Sequence, residues 1–458
     1  MRILFISNDL IAGNLAYRLK QEGHDVKLFV EEPLSKECFS GLVEKIEDWK
    51  KELDWVGKDG LIVFDDAGYG EMQEKLRNDG YTVFGGCYVG DKLETEREYG
   101  QAIFKEYGLK TAPLKNFSSV QDAIAYVKKN GGSWVIKQNN HNFKHLSYVG
   151  KFEDGRDIVN VLENYELRNG EIDKITLHKK IEGVEIGVGR YFNGTDWVGP
   201  IEYNIEHTKL FPGCIGPTTS EMGTLAWYDD DESGKLFKEN LNLLKPFLQH
   251  IGYRGDFEVN FIVNETGAYP LEATARLGTP IIHLHDEIHE SPWGEFLYAI
   301  ARGEQYDLKY KKGFGIVVVI ATPPFPYSER AYNRLSNNNS YRYNIYFDHE
   351  MSAEEMSHIH FEEVAVRATD PKQLYVADSR GNVLYVTGMG QTIQEARDIT
   401  YEKIKPIVIP KMFYRNDIGV EFEKNSLGKL KEWGYIADGE KSEVAEMNTI
   451  SEKTIVGI

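Results

Sequence analysis

Asn260-Phe261-Ile262-Val263-Asn264-Glu265-Thr266-Gly267-Ala268-Tyr269-Pro270-Leu271-Glu272-Ala273-Thr274-Ala275-Arg276 reads as the heart of a β-hairpin. Its strands are expected over Asp256–Val263 and Ala268–Ala273, around a turn at Asn264-Glu265-Thr266-Gly267. Residues two apart on a strand face the same side, so Glu272 and Thr274 share a face, Arg276 projects the same way, and the facing strand can bring Asn260 alongside. Oxygen ligands on adjacent strands suit Mg²⁺, which keeps some waters and takes substrate phosphates as further ligands. Arg276 beside them suits a phosphate. Polar residues also alternate on ordinary half-exposed strands, so the hairpin by itself leaves both readings open.

Three upstream stretches bear on the choice. Ser133-Trp134-Val135-Ile136-Lys137 is an apolar strand ending in a lysine, which can set a compact positive charge against phosphate oxygens or can simply be a solvated strand end. Lys179-Lys180-Ile181-Glu182-Gly183-Val184-Glu185 puts Glu185 just past a glycine turn, where a carboxylate can accept from ribose hydroxyls or sit as a surface acid. Gly216-Pro217-Thr218-Thr219-Ser220-Glu221-Met222-Gly223 offers backbone N–H groups and hydroxyls in a constrained loop, suited to an anion or to a plain connection.

Around these segments the chain alternates strands and helices. Ile3-Leu4-Phe5-Ile6, Val26–Val30, Leu61–Phe64 and Tyr81–Phe84 are short apolar runs separated by helical stretches at Ala12–Gln21 and near Met72–Asn78, which implies an open parallel sheet ending near Gly90. A charged helical stretch runs from Leu93 to Tyr107, and a smaller α+β unit follows with a helix over Ser119–Asn130 and a strand over Ile175–Ile181. Ser233–His250 has the pattern of one long amphipathic helix. A third body begins at Gly313 with the apolar run Ile316–Ala321 and a helix at Ile393–Ile404; beyond Gly419 the chain reads as a charged tail.

The 458 residues predict two to four domains, and 41% hydrophobic with 27% charged residues is globular composition. Fifty-three Lys and Arg against 72 Asp and Glu give a net charge of −19, a poor match for nonspecific nucleic-acid binding. Cys38, Cys87 and Cys214 are too dispersed for a disulfide framework or a CxxC zinc site. The first residues turn polar at once and no run of about 18 apolar residues exists, so neither a signal peptide nor a membrane span is expected. A cytoplasmic protein with small-molecule substrates, without nucleic-acid or membrane partners, as a monomer or homodimer, is the expectation.

Strand-end lysine, Gly-x-Glu turn, polar loop and hairpin with paired oxygen ligands, in that order, resemble the ATP-grasp ligases, and more closely the phosphoribosylamine–glycine ligase (glycinamide ribonucleotide synthetase) family. Phe84-Gly85-Gly86 followed by Leu93-Glu94 resembles FGP…LEGSK, Ile181–Glu185 resembles FLEGEE, and Gly216–Gly223 resembles GPNTGGMG. Leu271–Gly278 resembles LEFNARFG; Val383–Gly390 followed by Glu395-Ala396-Arg397 resembles VLAVTALG…EAR; Met412–Gly419 resembles MFYRRDIG. The resemblance runs from about residue 1 to 419.

It implies an α/β protein of ATP-grasp fold, with an N-terminal parallel-sheet, Rossmann-like domain (1–92), an ATP-grasp domain (93–312, with a mobile lid at about 113–187), a C-terminal mixed α/β domain (313–419) and the tail (420–458). It implies ATP and Mg²⁺ (or Mn²⁺) as cofactors and an amino acid and an amine as substrates, joined into an amide through an acyl phosphate as in purine synthesis. The alternatives are a divergent ligase with another amine, or a nucleotide-binding protein without turnover. By resemblance, Lys137 holds ATP phosphates, Glu185 the ribose and His178 the adenine edge. Glu272, with Asn260 or Thr274, binds metal, and Arg276 stabilises the acyl phosphate. Thr218, Thr219, Ser220, Met222 and Gly223 form the substrate loop.

The departures are as specific. The family's GNGGREH loop is Ser7-Asn8-Asp9-Leu10-Ile11-Ala12-Gly13 here, and its GPE is Phe64-Asp65-Asp66-Ala67. A lysine of the family is Gln101, the glycine-rich phosphate-covering loop is Gln138–Lys144 without a glycine, the metal-binding Asn is Thr274, and the acid of QDHK is Glu206 beside His207. Asp9, Asp65 and Asp66 are expected to converge where the family cradles a phosphate, and so to favour an ammonium or a polyhydroxylated group; capping of the following helices by Asp9 and Asp66 is the alternative.

Overall fold

The computed structural model describes residues 1–137, 147–169, 175–327 and 338–436. Five short strands open the chain: β1 (Arg2–Ser7), β2 (Asp25–Val30), β3 (Glu44–Ile46), β4 (Leu61–Phe64) and β5 (Thr82–Phe84). They form one parallel sheet in the order β3-β2-β1-β4-β5. Ile3 to Ile6 and Leu61 to Phe64 are buried throughout, which is why these strands are continuous apolar runs rather than alternating ones. The sequence reading missed β3, an edge strand whose Glu44-Lys45-Ile46 carries a single apolar residue. The strands' carboxyl ends converge at Asn8-Asp9 and Asp65-Asp66, the position where open parallel sheets bind ligands.

The charged stretch after β5 is two helices, Tyr88–Thr95 and Arg97–Glu106, broken at Glu96, whose φ of −111° and ψ of 88° are not helical. A small sheet follows, made of β6 (Leu114–Phe117), β7 (Trp134–Lys137), β8 (Tyr148–Val149) and β9 (Ile175–Lys179) in the order β6-β9-β7-β8. The helix Val120–Asn130 lies against it, capped by Ser119 and ended at Gly131 with φ 61°. Val120, Ile124, Val127, Ile136, Ile158 and Leu177 belong to a separate apolar core there. The glycine-free loop at 138–144 lies outside the described residues.

The remaining strands among the described residues are β10 (Val184–Asn193), β11 (Trp197–Glu206), β12 (Lys209–Phe211), β13 (Ile215–Thr218), β14 (Gly223–Asp229), β15 (Arg254–Asn264), β16 (Gly267–Thr274), β17 (Phe314–Ala321), β18 (Tyr346–Phe347), β19 (Ile359–Phe361), β20 (Val364–Arg367), β21 (Asp370–Val376), β22 (Asn382–Gly390) and β23 (Ile407–Val408). Eight of them make one sheet, β16-β15-β10-β11-β14-β17-β22-β19. The boundary expected at Gly313 thus falls inside a continuous sheet, because β17 pairs antiparallel with β14. The helix Ile393–Ile404 packs on β22 where a Cβ at Gly388 would lie 2.6 Å from Thr400 Oγ1 and one at Gly390 2.5 Å from the Ala396 nitrogen, so glycine is needed for that approach.

Two expectations change. Ser233–His250 is not one helix but Lys235–Lys238, a 3₁₀ turn at Leu241–Leu244 and Lys245–His250. Asn240 leaves helical geometry, and Pro246 opens the last piece, where its missing N–H costs nothing. The tail expected from residue 420 is packed as far as Ile436: Phe422, Leu430 and Tyr435 are buried, Phe422 lies 5.7 Å from the Trp227 ring, and Arg397 pairs with Glu423 at 2.9 Å. Residues 437–458 lie outside the described residues. Cys38 and Cys87 are buried and Cys214 exposed, all three as free thiols. Among the described residues no helix is long and apolar enough to cross a membrane.

Candidate active site

The hairpin β15–β16 sets Asn260 directly opposite Glu272 and Glu258 opposite Thr274, with a bulge between Asn260 and Phe261. The period-two pattern therefore brings together the oxygen groups it was expected to. Asn260 donates its Nδ2 to Glu206 Oε1 at 2.9 Å, which leaves its carbonyl oxygen as the acceptor available to a ligand. One carboxylate with neutral oxygens is the donor set of a magnesium ion that shares its coordination with phosphates. Among the described residues no group of three or more His, Cys, Asp and Glu side chains could hold a metal by itself. The residues present fit Mg²⁺ held jointly with a nucleotide, and they do not fit an all-protein cage.

The helix Arg97–Glu106 clamps the hairpin from behind. Arg97 reaches Glu272 at 2.8 Å and the Leu271 carbonyl at 3.3 Å, while Gln101 donates to the carbonyls of Pro270 and Leu271 at 3.1 Å each. Arg97 was missed by sequence reasoning. Its signal was its spacing: it lies four residues before Gln101, on the same helical face, so the charge absent at 101 reappears one turn earlier.

Lys137 ends β7 opposite Thr176 of β9, His178 lies opposite Val135, and Glu185 stands near the start of β10 opposite Ile262. Lys137 acts electrostatically on both Glu185 and His178, so the three groups from two sheets face one cleft. Burial, followed by Arg97 and Lys137, holds the His178 imidazole down to about 4, so it is neutral, and its buried Nε2 has no hydrogen-bond partner. Glu185 reaches solvent but is walled by protein; that partial desolvation raises its carboxyl, Lys137 opposes the shift and Glu272 adds to it.

Arg276 is oriented by Glu94, whose carboxylate accepts from Arg276 Nε at 3.2 Å and from the Ala275 N–H at 3.1 Å. Asp66 approaches the same guanidinium at 4.0 Å. Beside Arg276 lies a small, partly open pocket lined by Glu206, Glu221 and Glu258 together with Asn204, Thr224 and Thr274. Burial, the neighbouring Glu185 and Glu272 push Glu206 up to about 7; burial, then repulsion from Glu206, raises Glu221 well above the usual carboxylate range, and burial, then Glu202 and Glu206, does the same to Glu258. None of Glu221, Glu258 or Asn204 was singled out from the sequence, because they come from two separate strands and a loop.

The loop expected to bind substrate is divided. Thr218 and Ser220 are exposed, and Thr218 accepts from Lys209 Nζ at 2.7 Å. Thr219 turns its hydroxyl and N–H to the Thr208 carbonyl, and Met222 is fully buried with its N–H on His207 and its carbonyl on Val319. Gly223 packs so tightly that a Cβ would lie 2.5 Å from the Val317 carbonyl. Glu221 is the member of this loop that lines the pocket with Thr224. The C-terminal motif braces the same region: Gly419 donates to His207 Nε2 at 3.0 Å, Arg415 to the Lys209 carbonyl at 3.0 Å, and Asp417 accepts from the Gly213 N–H at 2.8 Å.

At the carboxyl edge of the parallel sheet Asp65 lies within electrostatic range of both Asp66 and Asp9, yet each of the three has a protein partner. Asp65 is fully buried and accepts from Ser7 Oγ at 2.8 Å and from the Ala12 N–H at 2.9 Å; burial, then Asp66, raises it to about 7. Asp9 pairs with Arg380 at 3.1 Å, which also meets Glu362 and Glu363 at 3.2 Å. The helix after β1 starts at Ala12 without a side-chain cap, so Asp9 does not play that part.

The sequence matches the model of the phosphoribosylglycinamide synthetase ATP-grasp (A) domain over residues 95–281 and that of the phosphoribosylglycinamide synthetase C domain over residues 316–421. It is 24% identical to phosphoribosylamine–glycine ligase of Clostridium acetobutylicum, over 80% of this chain and 84% of that one. It is 25% identical to the Helicobacter pylori enzyme of the same name, over 90% and 96%. The crystal structure of phosphoribosylamine–glycine ligase from Thermotoga maritima superposes with a TM-score of 0.68 at 20% identity, covering 91% of this chain and all of that one. Small four-stranded sheet, large antiparallel sheet and the family-model match together make this an ATP-grasp protein. Within that class the chain belongs to the phosphoribosylglycinamide synthetase family.

Proposed function

We propose that the chain is an ATP-dependent carboxylate–amine ligase working through an acyl phosphate, as its relatives' name implies. The observation that carries this reading is the gathering, around one hairpin, of Glu272 opposite Asn260, Arg276 beyond them, and Lys137, His178 and Glu185 across the cleft. The γ-phosphoryl group of ATP passes to the acid's carboxylate, releasing ADP; the amine then attacks the acyl carbon and inorganic phosphate leaves. Lys137 faces the ATP phosphates, Glu185 accepts from the ribose, and the open Nε2 of neutral His178 meets the adenine edge. Glu272, Asn260 and Thr274 would hold Mg²⁺, which supplies charge neutralisation at the transferring phosphoryl group. Because Arg97 pairs with Glu272, nucleotide and metal loading must loosen that ion pair. Arg276, held by Glu94, stabilises the acyl phosphate as negative charge develops.

One observation favours an amine other than phosphoribosylamine. At the carboxyl edge of the sheet, Arg380 is surrounded by Asp9, Glu362, Glu363 and Asp378, and Arg276 by Glu94 and Asp66, so the cations there are neutralised by protein carboxylates. A phosphate dianion would meet net negative charge, whereas an ammonium or polyol group would be welcome. ADP formation measured with ATP, Mg²⁺, glycine and a panel of amines tests both points. Turnover requiring both acid and amine supports the ligase. ATP binding without turnover for any pair selects a binding protein, and a strong preference for phosphoribosylamine removes the second reading.

A further inference from the structure

A buried chain of polar groups runs up to the pocket beside Arg276, and the ligase reading leaves it unused. Glu202 and Asn204 lie two apart on β11 and share a face, as Asp256 and Glu258 do on β15. Between them β10 sets Gly187 opposite Asn204 and Gly189 opposite Glu202. A Cβ at Gly187 would fall 2.4 Å from Asn204 Oδ1 and 2.3 Å from Glu258 Oε1, so these side chains lean over a residue that carries none. The helix Ile281–Ile288 brings His285 onto this polar stripe. Tyr191 Oη lies 2.9 Å from His285 Nδ1, His285 Nε2 meets Glu202 Oε2, and Glu202 Oε1 accepts from Asn204 Nδ2 at 2.7 Å. All four residues are buried. Burial opposes a charged imidazole there, yet Glu202, then Asp256, outweigh it and hold His285 above its ordinary value.

A buried imidazolium–carboxylate pair is costly to desolvate, and what this one fixes is the Asn204 amide. A carboxylate only accepts, so the Asn204 group on Glu202 is the NH₂ and the carbonyl oxygen takes the other side. That oxygen is buried without a hydrogen-bond donor among the described residues, in a side chain that lines the pocket. Arg276 lines the same pocket, and Asp66 approaches Arg276 at 4.0 Å from the carboxyl edge of the parallel sheet.

We propose that Asn204 Oδ1 orients the attacking amine, and that Glu202 and His285 are positioning residues acting through it. The proposal rests on the ligase reading and gives its second step a residue. The amine enters past Asp66 and Arg276 and donates one N–H to Oδ1, which turns the nitrogen lone pair to the acyl carbon beside Arg276. The nucleophile must be a neutral amine. A carboxylate at this position would stabilise the ammonium, whereas an amide oxygen accepts an N–H without adding charge. As the C–N bond forms, the bond from the acyl carbon to the phosphate oxygen breaks, and the proton lost by nitrogen leaves with the phosphate.

The test uses the full-length chain with Mg²⁺, ATP carrying ¹⁸O in its β,γ-bridge, glycine, β-alanine or acetate as the acid, and hydroxylamine as a surrogate amine. Reversible phosphoryl transfer to an acid scrambles the bridge oxygen into the β-phosphate without any amine, whereas hydroxamate formation needs the amine. Asn204→Leu removes the acceptor, and Glu202→Gln removes the charge that fixes its direction; Asn204→Ser stands in if the leucine variant does not fold. Each is expected to raise KM for hydroxylamine by about fivefold or more, while acid-dependent exchange stays within about twofold of the parent. An unmoved hydroxylamine KM in the exchange-competent variants overturns the proposal. So does a raised KM for the acid with hydroxylamine unaffected, which would give Asn204 to the acid. Absence of exchange with every acid in the unaltered protein, with ATP still bound, overturns the ligase reading and the proposal with it, a result distinct from an unmoved amine KM.

Discussion

Glu272 concentrates the chemistry at the scale of single residues. It faces Asn260 across the hairpin, pairs with Arg97 and acts on Glu185. Glu272→Gln keeps the shape but removes the charge, so it is expected to lower kcat by a factor corresponding to about 2.7–4 kcal/mol, with the thermal midpoint nearly unchanged; near-parental kcat would remove Glu272 from the site. Asp65 makes a different prediction. Its carboxyl is held at about 7 in the fold against an ordinary value of 3.8, so the folded protein binds a proton that the unfolded chain releases. Stability is therefore lost as pH rises through that window, and above it the full cost of the buried charge is present. Asp65→Asn keeps an oxygen for Ser7 and Ala12 and carries no charge. Denaturant titration should find it more stable than the parent at pH 8, by up to about 4 kcal/mol, and the difference should vanish near pH 4. A destabilised variant at pH 8 would mean that the ionised carboxylate has an unrecognised cationic partner.

Elements differed in how far the sequence disclosed them. The parallel strands and the hairpin were legible because both-face burial and period-two alternation are written in adjacent residues, as in Leu61–Phe64 and Glu272-Ala273-Thr274. The break in Ser233–His250 was hidden because its apolar spacing continues across Asn240 and Pro246, and β3 because an edge strand needs little apolar surface. Lys137, His178 and Glu185 were singled out through motif order. Arg97 and the Glu221–Glu258 pocket were not, because they are contacts between elements far apart in the chain. The loop from β13 to β14 shows what its glycine is for. Gly223 has φ +150° and sits 2.5 Å, at its would-be Cβ, from the Val317 carbonyl of the neighbouring strand. Gly223→Ala must move backbone rather than a side chain, and a drop in stability of about 1–3 kcal/mol is expected by thermal melting. An unperturbed melt would show that β14 and β17 can separate without cost.

For the whole molecule, the cleft is assembled where the antiparallel sheet, the small sheet and the parallel sheet's carboxyl edge meet, and buried acids accumulate there. Asp65, Glu206, Asp256 and Glu363 are each held at about 7, chiefly by burial. All four bind protons in the fold that the unfolded chain has released by pH 6, so the sign is the same for each: stability falls as pH rises from 6 to 8, by about 1.4 kcal/mol per independently titrating group. Thermal midpoints of the ligand-free protein should fall across that range, and a flat or rising profile would contradict the burial of these groups. The central claim, phosphoryl transfer to a carboxylate, is tested most directly by isotope. Glycine labelled with ¹⁸O in its carboxylate is incubated with ATP, Mg²⁺ and hydroxylamine, and the inorganic phosphate is analysed by mass. The account predicts one ¹⁸O carried into each phosphate formed, because the acyl phosphate breaks at its carbonyl carbon; unlabelled phosphate accompanying ADP formation would contradict it.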